Sequence, residues 1–165
     1  MNPRPGIEGR PAPDFHLAQT LAADGTPAAA PLTLASLTGR HKLLYCFQSW
    51  CHGCHESGFP TLARVVAAFA DRPGDLSVAV IQTVFEGFEE NTFEALLQTR
   101  QRYDLRVPFA HDPGKGIESN SSQVMRAYRS GGTPWFILIG PDGRVLFNDF
   151  RLDADGLIDF VRANG

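Results

Sequence analysis

The apolar residues of this chain gather into short unbroken runs and helix-spaced stripes, divided by breaks rich in Gly and Pro. Lys42 to Gln48 encloses Leu43-Leu44-Tyr45-Cys46-Phe47, a continuous run that predicts a strand buried on both faces. Phe59, Leu62, Val66 and Phe69 then recur three and four positions apart, which is helical spacing. Pro60 lies inside that stripe and predicts a kink or a division of the helix after its first turns. Asp71-Arg72-Pro73-Gly74 stops the helix. Asp75 to Val84 reads as a second buried strand.

Asn91-Thr92-Phe93-Glu94 has the form of a capping box, with Asn91 as N-cap. Phe93, Leu96 and Leu97 give the following helix its apolar face. Short extended pieces are expected at Asp14–Leu17, Pro31–Leu34 and Val107–Ala110, and a short helix at Ser122–Tyr128. Strands at Pro134–Ile139 and Arg144–Phe150 flank Gly140-Pro141-Asp142-Gly143, a hairpin signal. Leu157, Ile158, Phe160 and Val161 mark a terminal helix. This order implies parallel pairing in the first half and antiparallel pairing in the second. The expected class is α/β, with a central mixed β-sheet flanked by helices on both faces. One domain over residues 1–165 is expected, with 1–11 an irregular segment on its surface.

Composition narrows the function classes. The chain is 43% hydrophobic and 20% charged, an ordinary globular balance. Its formal net charge of −3 gives no electrostatic reason to expect nucleic acid or an acidic membrane surface as a partner. No apolar stretch approaches the length of a membrane-spanning helix, and Met1 to Gly6 lacks the apolar segment of a secretory signal. Taken as the full product, the chain is expected in the cytoplasm. Three cysteines are too few and too clustered for a disulfide scaffold. In a reducing compartment a C-x-x-C pair points instead to catalysis or metal binding.

That pair is Cys51-His52-Gly53-Cys54, placed where the first buried strand gives way to a helix. Unpaired backbone N–H groups and the helix dipole favour a thiolate at such a position. A second sulfur one turn on can close a disulfide and eject a bound partner. Two other readings of the same residues stay open. Cys51 to His55 also spells C-x-x-C-H, the pattern of covalent haem attachment. Cys46, Cys51, His52, Cys54 and His55 could equally supply zinc ligands.

Three stretches, taken in order, carry a family likeness. They are Ala12-Pro13-Asp14-Phe15-His16-Leu17, then Trp50 to Cys54 followed by Pro60, then Gly132-Thr133-Pro134 before a strand with Asp142-Gly143 after it. Together they resemble the thioredoxin-like superfamily, in its redoxin branch near the TlpA and ResA type proteins. The resemblance implies a thioredoxin-like fold with a cis Pro134 beside the two sulfurs. It also implies that the Thr133 backbone is offered to a substrate chain as a short β-pairing. Three departures stand out. Tyr45 occupies the position, six residues before Cys51, where thioredoxin proper has a buried acid. His-Gly separates the cysteines. Pro60 lies six residues beyond Cys54 rather than five, which predicts a local bulge in the helix.

The roles follow from position. Cys51, at the exposed helix end, is the expected nucleophile, and Cys54, more buried, the resolving thiol. His52, with His55 as a second candidate, is expected to stabilise the Cys51 thiolate when protonated. Glu86 and Glu56 are candidates for shuttling the Cys54 proton. Glu86 follows a strand parallel to the central one, although Glu86, Glu89 and Glu90 also fit a solvated acidic turn. Phe85 and Phe88 could wall a groove there. Trp50 is expected to shield the redox loop and Trp135 to be core or groove wall. Cys46 reads as a small buried hydrophobe.

The expected function is thiol–disulfide exchange on a protein or small-molecule disulfide. It needs no bound cofactor and no metal, only a thiol reductant to recycle the pair. The histidine between the cysteines hints at a more oxidising couple than Gly-Pro would give. A peroxiredoxin-like peroxidase is the nearest alternative. That chemistry sets Pro and Thr seven and three positions before the reactive cysteine. Those positions are Leu44 and Gln48 before Cys51, and Phe47 and Cys51 before Cys54. A zinc- or haem-holding module without turnover is the alternative from another class.

Overall fold

A computed structural model describes residues 4–113 and 122–165. Its six strands are β1 (Thr20–Leu21), β2 (His41–Phe47), β3 (Leu76–Thr83), β4 (Phe109–Asp112), β5 (Trp135–Ile139) and β6 (Val145–Asp149). They form one sheet in the order β1-β4-β3-β2-β5-β6. The helices are α1 (Phe59–Ala68), α2 (Phe93–Tyr103), α3 (Gln123–Ala127) and α4 (Ala154–Asn164). β2 pairs parallel with β3 and β3 with β4, whereas β5 runs antiparallel to both β2 and β6. The parallel pairs are those whose connections contain a helix, and the antiparallel β5–β6 pair is joined by the short Gly140–Gly143 turn. The expected mixed α/β sheet is the one observed. No helix of the described residues is long and apolar enough to cross a membrane.

β2 is the hub. Leu43, Tyr45 and Phe47 join Val78, Val80, Phe136 and Leu138 on one face of the sheet, beneath α1, α2 and α4. Leu44 and Cys46 join Ala79, Ile81, Trp135 and Ile137 on the other, with Val124 of α3 and Phe15, Leu17, Leu32 and Leu37 from the N-terminal third. All five residues from Leu43 to Phe47 are fully buried. Unbroken hydrophobicity is therefore what two covered faces require.

Several sequence expectations shift. Asp14–Leu17 and Pro31–Leu34 are not strands: Leu17 and Leu32 form one isolated bridge, and the chain continues into a short helical turn at Leu34–Ser36. Phe15 and Leu17 are apolar because they anchor an irregular segment in the core. β1, two residues long, is too short to leave a periodic signal. The expected strand at Val107–Ala110 begins two residues later, at Phe109. The N-cap of α2 is Thr92, not Asn91: Thr92 Oγ1 accepts the Ala95 N–H at 3.1 Å. Asn91 is drawn inward to other partners, given below. Along the open edge of β6, residues 6–12 form a strap. Gly9 N–H donates to Val145 O at 2.8 Å and Val145 N–H to Arg10 O at 2.9 Å. The strap covers backbone that would otherwise invite another strand.

β3 and β4 carry a buried polar pair. Gln82 Nε2 donates to His111 Nδ1 at 3.0 Å and to Thr92 O at 2.9 Å. Burial pushes the His111 imidazole down to about 4. An unfolded chain, with histidine near its usual ~6.5, therefore takes up the proton first as pH falls. The stabilisation is full above pH ~6.5 and is lost as pH falls toward 4. Urea midpoints should decline through that window, and His111→Asn, which keeps an acceptor but cannot titrate, should flatten the decline.

Candidate active site

β2 ends at Phe47, and helical backbone resumes at His52. The two cysteines span that transition and are joined as a disulfide, with Cα atoms 5.3 Å apart. Cys51 is 7% exposed and Cys54 is fully buried. The Cys54 N–H donates to Cys51 Sγ at 3.3 Å, and the Cys51 N–H is taken by Gln48 O at 3.1 Å. The outer sulfur thus already receives an amide from the first helical turn, where intrahelical acceptors are absent.

The loop before β5 closes one side. The Thr133–Pro134 peptide is cis. Pro134 Cδ stands 3.6 Å from where a Cβ on Gly53 would lie, so the proline ring sits against the dipeptide between the cysteines. Gln48, fully buried, reaches across with its Nε2 to Thr133 Oγ1 at 3.4 Å.

The segment after β3 closes the other side through Asn91, which is buried. Its Oδ1 accepts the Ser49 N–H at 2.7 Å and the Ser49 hydroxyl at 2.9 Å. Its Nδ2 donates to Gly87 O at 3.0 Å and to Gln48 Oε1 at 3.4 Å. One carboxamide therefore ties residues 86–91 to the loop that carries Cys51. Trp50, 48% exposed, lies over this segment: a Cβ on Gly87 would come within 2.8 Å of its Nε1. Gly87 also has φ +58°, a conformation that residues with a side chain rarely adopt. Phe85 and Phe88 are half-buried on the same segment.

The charged candidates lie further out. His52 Nε2 pairs with Glu56 at one helical turn's spacing, and both side chains are largely exposed. Glu86 is exposed. Among the described residues neither Glu86 nor Glu56 is hydrogen-bonded to either cysteine. No three His, Cys, Asp or Glu side chains among the described residues gather as metal ligands.

Solved structures place this arrangement. A crystal structure of a thioredoxin-like superfamily protein matches with a TM-score of 0.79 at 30% identity, over 93% of this chain and 94% of that one. The chain belongs to the thioredoxin-like superfamily. A thiol-disulfide isomerase from Corynebacterium glutamicum matches with a TM-score of 0.69 at 25% identity, over 92% and 95% of the two chains. A thiol-disulfide oxidoreductase from Bacteroides fragilis shares the fold, with a TM-score of 0.70 at 20% identity over 92% and 99%. No family model matches the sequence, and comparison with curated proteins gives no match. These likenesses and the bonded Cys51–Cys54 pair support a redox-active, thioredoxin-like role.

Within this thioredoxin-like frame, Tyr45 replaces an acid with a donor. Its hydroxyl donates to Cys54 O at 2.8 Å, and its ring is packed among Phe47, Phe59 and Phe136. Burial pushes the phenol well above its ordinary range, so it holds its proton. The helix makes room for it. Cys54–Gly58 is a π-turn in which Phe59 N–H reaches Cys54 O. The bulge expected from the late Pro60 is thus present, just before the residue that lacks an N–H. A Cβ on Gly58 would fall on the Tyr45 hydroxyl.

His55 is not a cation beside the sulfurs. Its Nε2 faces Ser49 O at 2.7 Å and its Nδ1 the Tyr103 hydroxyl at 2.6 Å. The carbonyl requires Nε2–H, and in the neutral ring Nδ1 then accepts from the Tyr103 hydroxyl. Burial, first among the causes, lowers its pKa. It stacks on Phe59 and Tyr103 as part of the aromatic core. Trp135 is core, 2% exposed, and Cys46 is a free, buried thiol whose pKa burial pushes far up. Sequence reasoning missed Gln48, Ser49 and Tyr103, which carry no motif, and misplaced Asn91.

Asn91→Ala should lower unfolding stability by about 1–3 kcal/mol, because it leaves the Ser49 N–H without its partner. Gly58→Ala should cost about 1–3 kcal/mol through overpacking against Tyr45. Both are read from urea midpoints of the oxidised protein, and a shift within error for either would contradict the contact assigned to it.

Proposed function

We propose that the protein is a dithiol–disulfide oxidoreductase that reduces, or exchanges with, protein or small-molecule disulfides through a mixed disulfide on Cys51. The observation that carries this reading is the Cys54 N–H held on Cys51 Sγ at 3.3 Å, with Cys54 sealed beneath it. In the reduced protein the same amide and the first helical turn favour a Cys51 thiolate. That thiolate attacks one sulfur of the substrate disulfide. A Cys51–substrate S–S bond forms, the substrate bond breaks, and the leaving thiolate takes a proton. Cys54 then loses its proton and attacks Cys51 Sγ, closing the internal disulfide and releasing the second substrate thiolate. Two electrons pass from the dithiol to the substrate, and a thiol reductant returns them by the reverse steps.

The surrounding residues receive roles on this reading. The Thr133 backbone, beside Pro134, pairs with an extended substrate chain, and the exposed face of Trp50 provides apolar contact. His52, when protonated, adds positive charge at the helix end next to Cys51. Glu86 accepts the Cys54 proton through solvent, ahead of Glu56, which is engaged with His52.

Cys54→Ser should accumulate a mixed disulfide with oxidised glutathione, visible by mass, whereas Cys51→Ser should not. Loss of trapping in the first, or equal trapping in both, would reverse or remove the assignment. In the wild type, titration through glutathione buffers should give one reversible two-electron transition. Its midpoint tells a reductant, near thioredoxin's roughly −270 mV, from an oxidant near DsbA's roughly −120 mV. His52→Ala should raise the pH at which Cys51 alkylates, and an unchanged profile would remove His52 from the mechanism.

A further inference from the structure

A second concavity of about 470 Å³ lies between the N-terminal strap, the turn after α3 and β6. Arg4, Arg10 and Arg129 line it together with Glu8 and Asp149. Among the described residues none of these three guanidinium groups forms an ion pair or a side-chain hydrogen bond. The two carboxylates are already engaged. Glu8 Oε1 accepts from the Asn148 backbone N–H at 3.3 Å and from its side-chain amide at 3.4 Å, and Asp149 Oδ1 accepts the Phe150 N–H at 2.6 Å. The cleft therefore holds more positive than negative groups, and the positive ones are those left without partners.

Two further observations concern residues that line the same cleft. Arg129 has φ +51°, at the position after a helix end where the chain turns back through Ser130 N–H to Met125 O at 3.0 Å. Glycine satisfies that turn without strain, and a side chain there is disfavoured. The Arg129 carbonyl also accepts the Gly6 N–H at 2.7 Å, fastening the strap that bears Arg10. Trp135, another lining residue, is 2% exposed, and its indole N–H, sealed from solvent, has no hydrogen-bond partner among the described residues. A buried donor left unsatisfied is costly.

We propose that this cleft binds a small oxyanion, the phosphate or carboxylate group of a small molecule, held by Arg4, Arg10 and Arg129. Guanidinium groups match such oxyanions in both geometry and charge. The site is separate from the disulfide chemistry and stands whether or not that chemistry is as proposed. Its position links the two regions all the same, because Trp135 directly follows Pro134.

The test uses the full chain at low ionic strength, with pyrophosphate and citrate as probes. Trp50→Phe leaves Trp135 as the remaining indole of the two in the sequence, so its emission reports on the cleft. Each probe is titrated by emission and by thermal melting in that background. A saturable response to either is expected, weakened at least tenfold by Arg10→Gln and by Arg129→Gly. The second variant suits the backbone better than arginine does, so it should fold at least as well as its parent. Stronger response to pyrophosphate would assign a phosphate, and stronger response to citrate a carboxylate. No saturable response to either probe, or an undiminished response in folded Arg129→Gly, would overturn the proposal.

Discussion

Burial of β2 on both faces fixes where the two sulfurs sit. A strand with a helix layer on one side and packed side chains on the other cannot slide, because a shift of one residue would exchange its two sets of side chains between unlike cores. Its register against β3 and β5 is unbroken from Lys42 to Cys46. The chain that leaves its end therefore leaves at a set point, and four residues later Cys51 meets the start of a helix. Pro134, which immediately precedes β5, is set by the same pairing. The nearness of disulfide and proline is a property of the sheet before it is a property of either loop.

The second constraint is steric. Tyr45 carries a hydroxyl into a wall of aromatic rings, and the helix above must accommodate both it and Pro60. The π-turn at Cys54–Gly58 meets both demands, since widening one turn gives a carbonyl to Tyr45 and avoids asking Pro60 for an N–H it lacks. His55 is carried by the same turn into the aromatic layer, where it packs as a neutral ring. A position next to the cysteines that reads as a potential cation is thereby converted into core.

The sequence disclosed what repeats or punctuates. β2, β3, α1, α4 and the β5–β6 hairpin were legible because their apolar spacing or their turn residues report directly on local geometry. The cysteines and Pro134 were legible because strand, motif and helix follow one another without interruption. What escaped depends on contacts between distant residues. Asn91 and Thr92 are both good caps on local grounds, and the choice was made by Ser49, 42 positions away. Gln48 is polar yet fully buried, for reasons that lie in Thr133 and Asn91. His52 and His55 look alike in the sequence, but one faces solvent and the other a tyrosine. Fold is written in periodicity; the environment of a single polar side chain is not.

The strap along β6 bears on how the sheet is completed. Ile7 N–H is bonded to Asn148 Oδ1 across 141 positions of sequence, so the strap has no seat until β6 has formed. Until then the far edge of the sheet cannot be closed, and Phe15 and Leu17 must wait beside it without their core partners from β5. Closing so long a loop is slow relative to forming local helices. Contacts of such long sequence separation form late, so the strap seals the sheet edge only after β5 and β6 have paired.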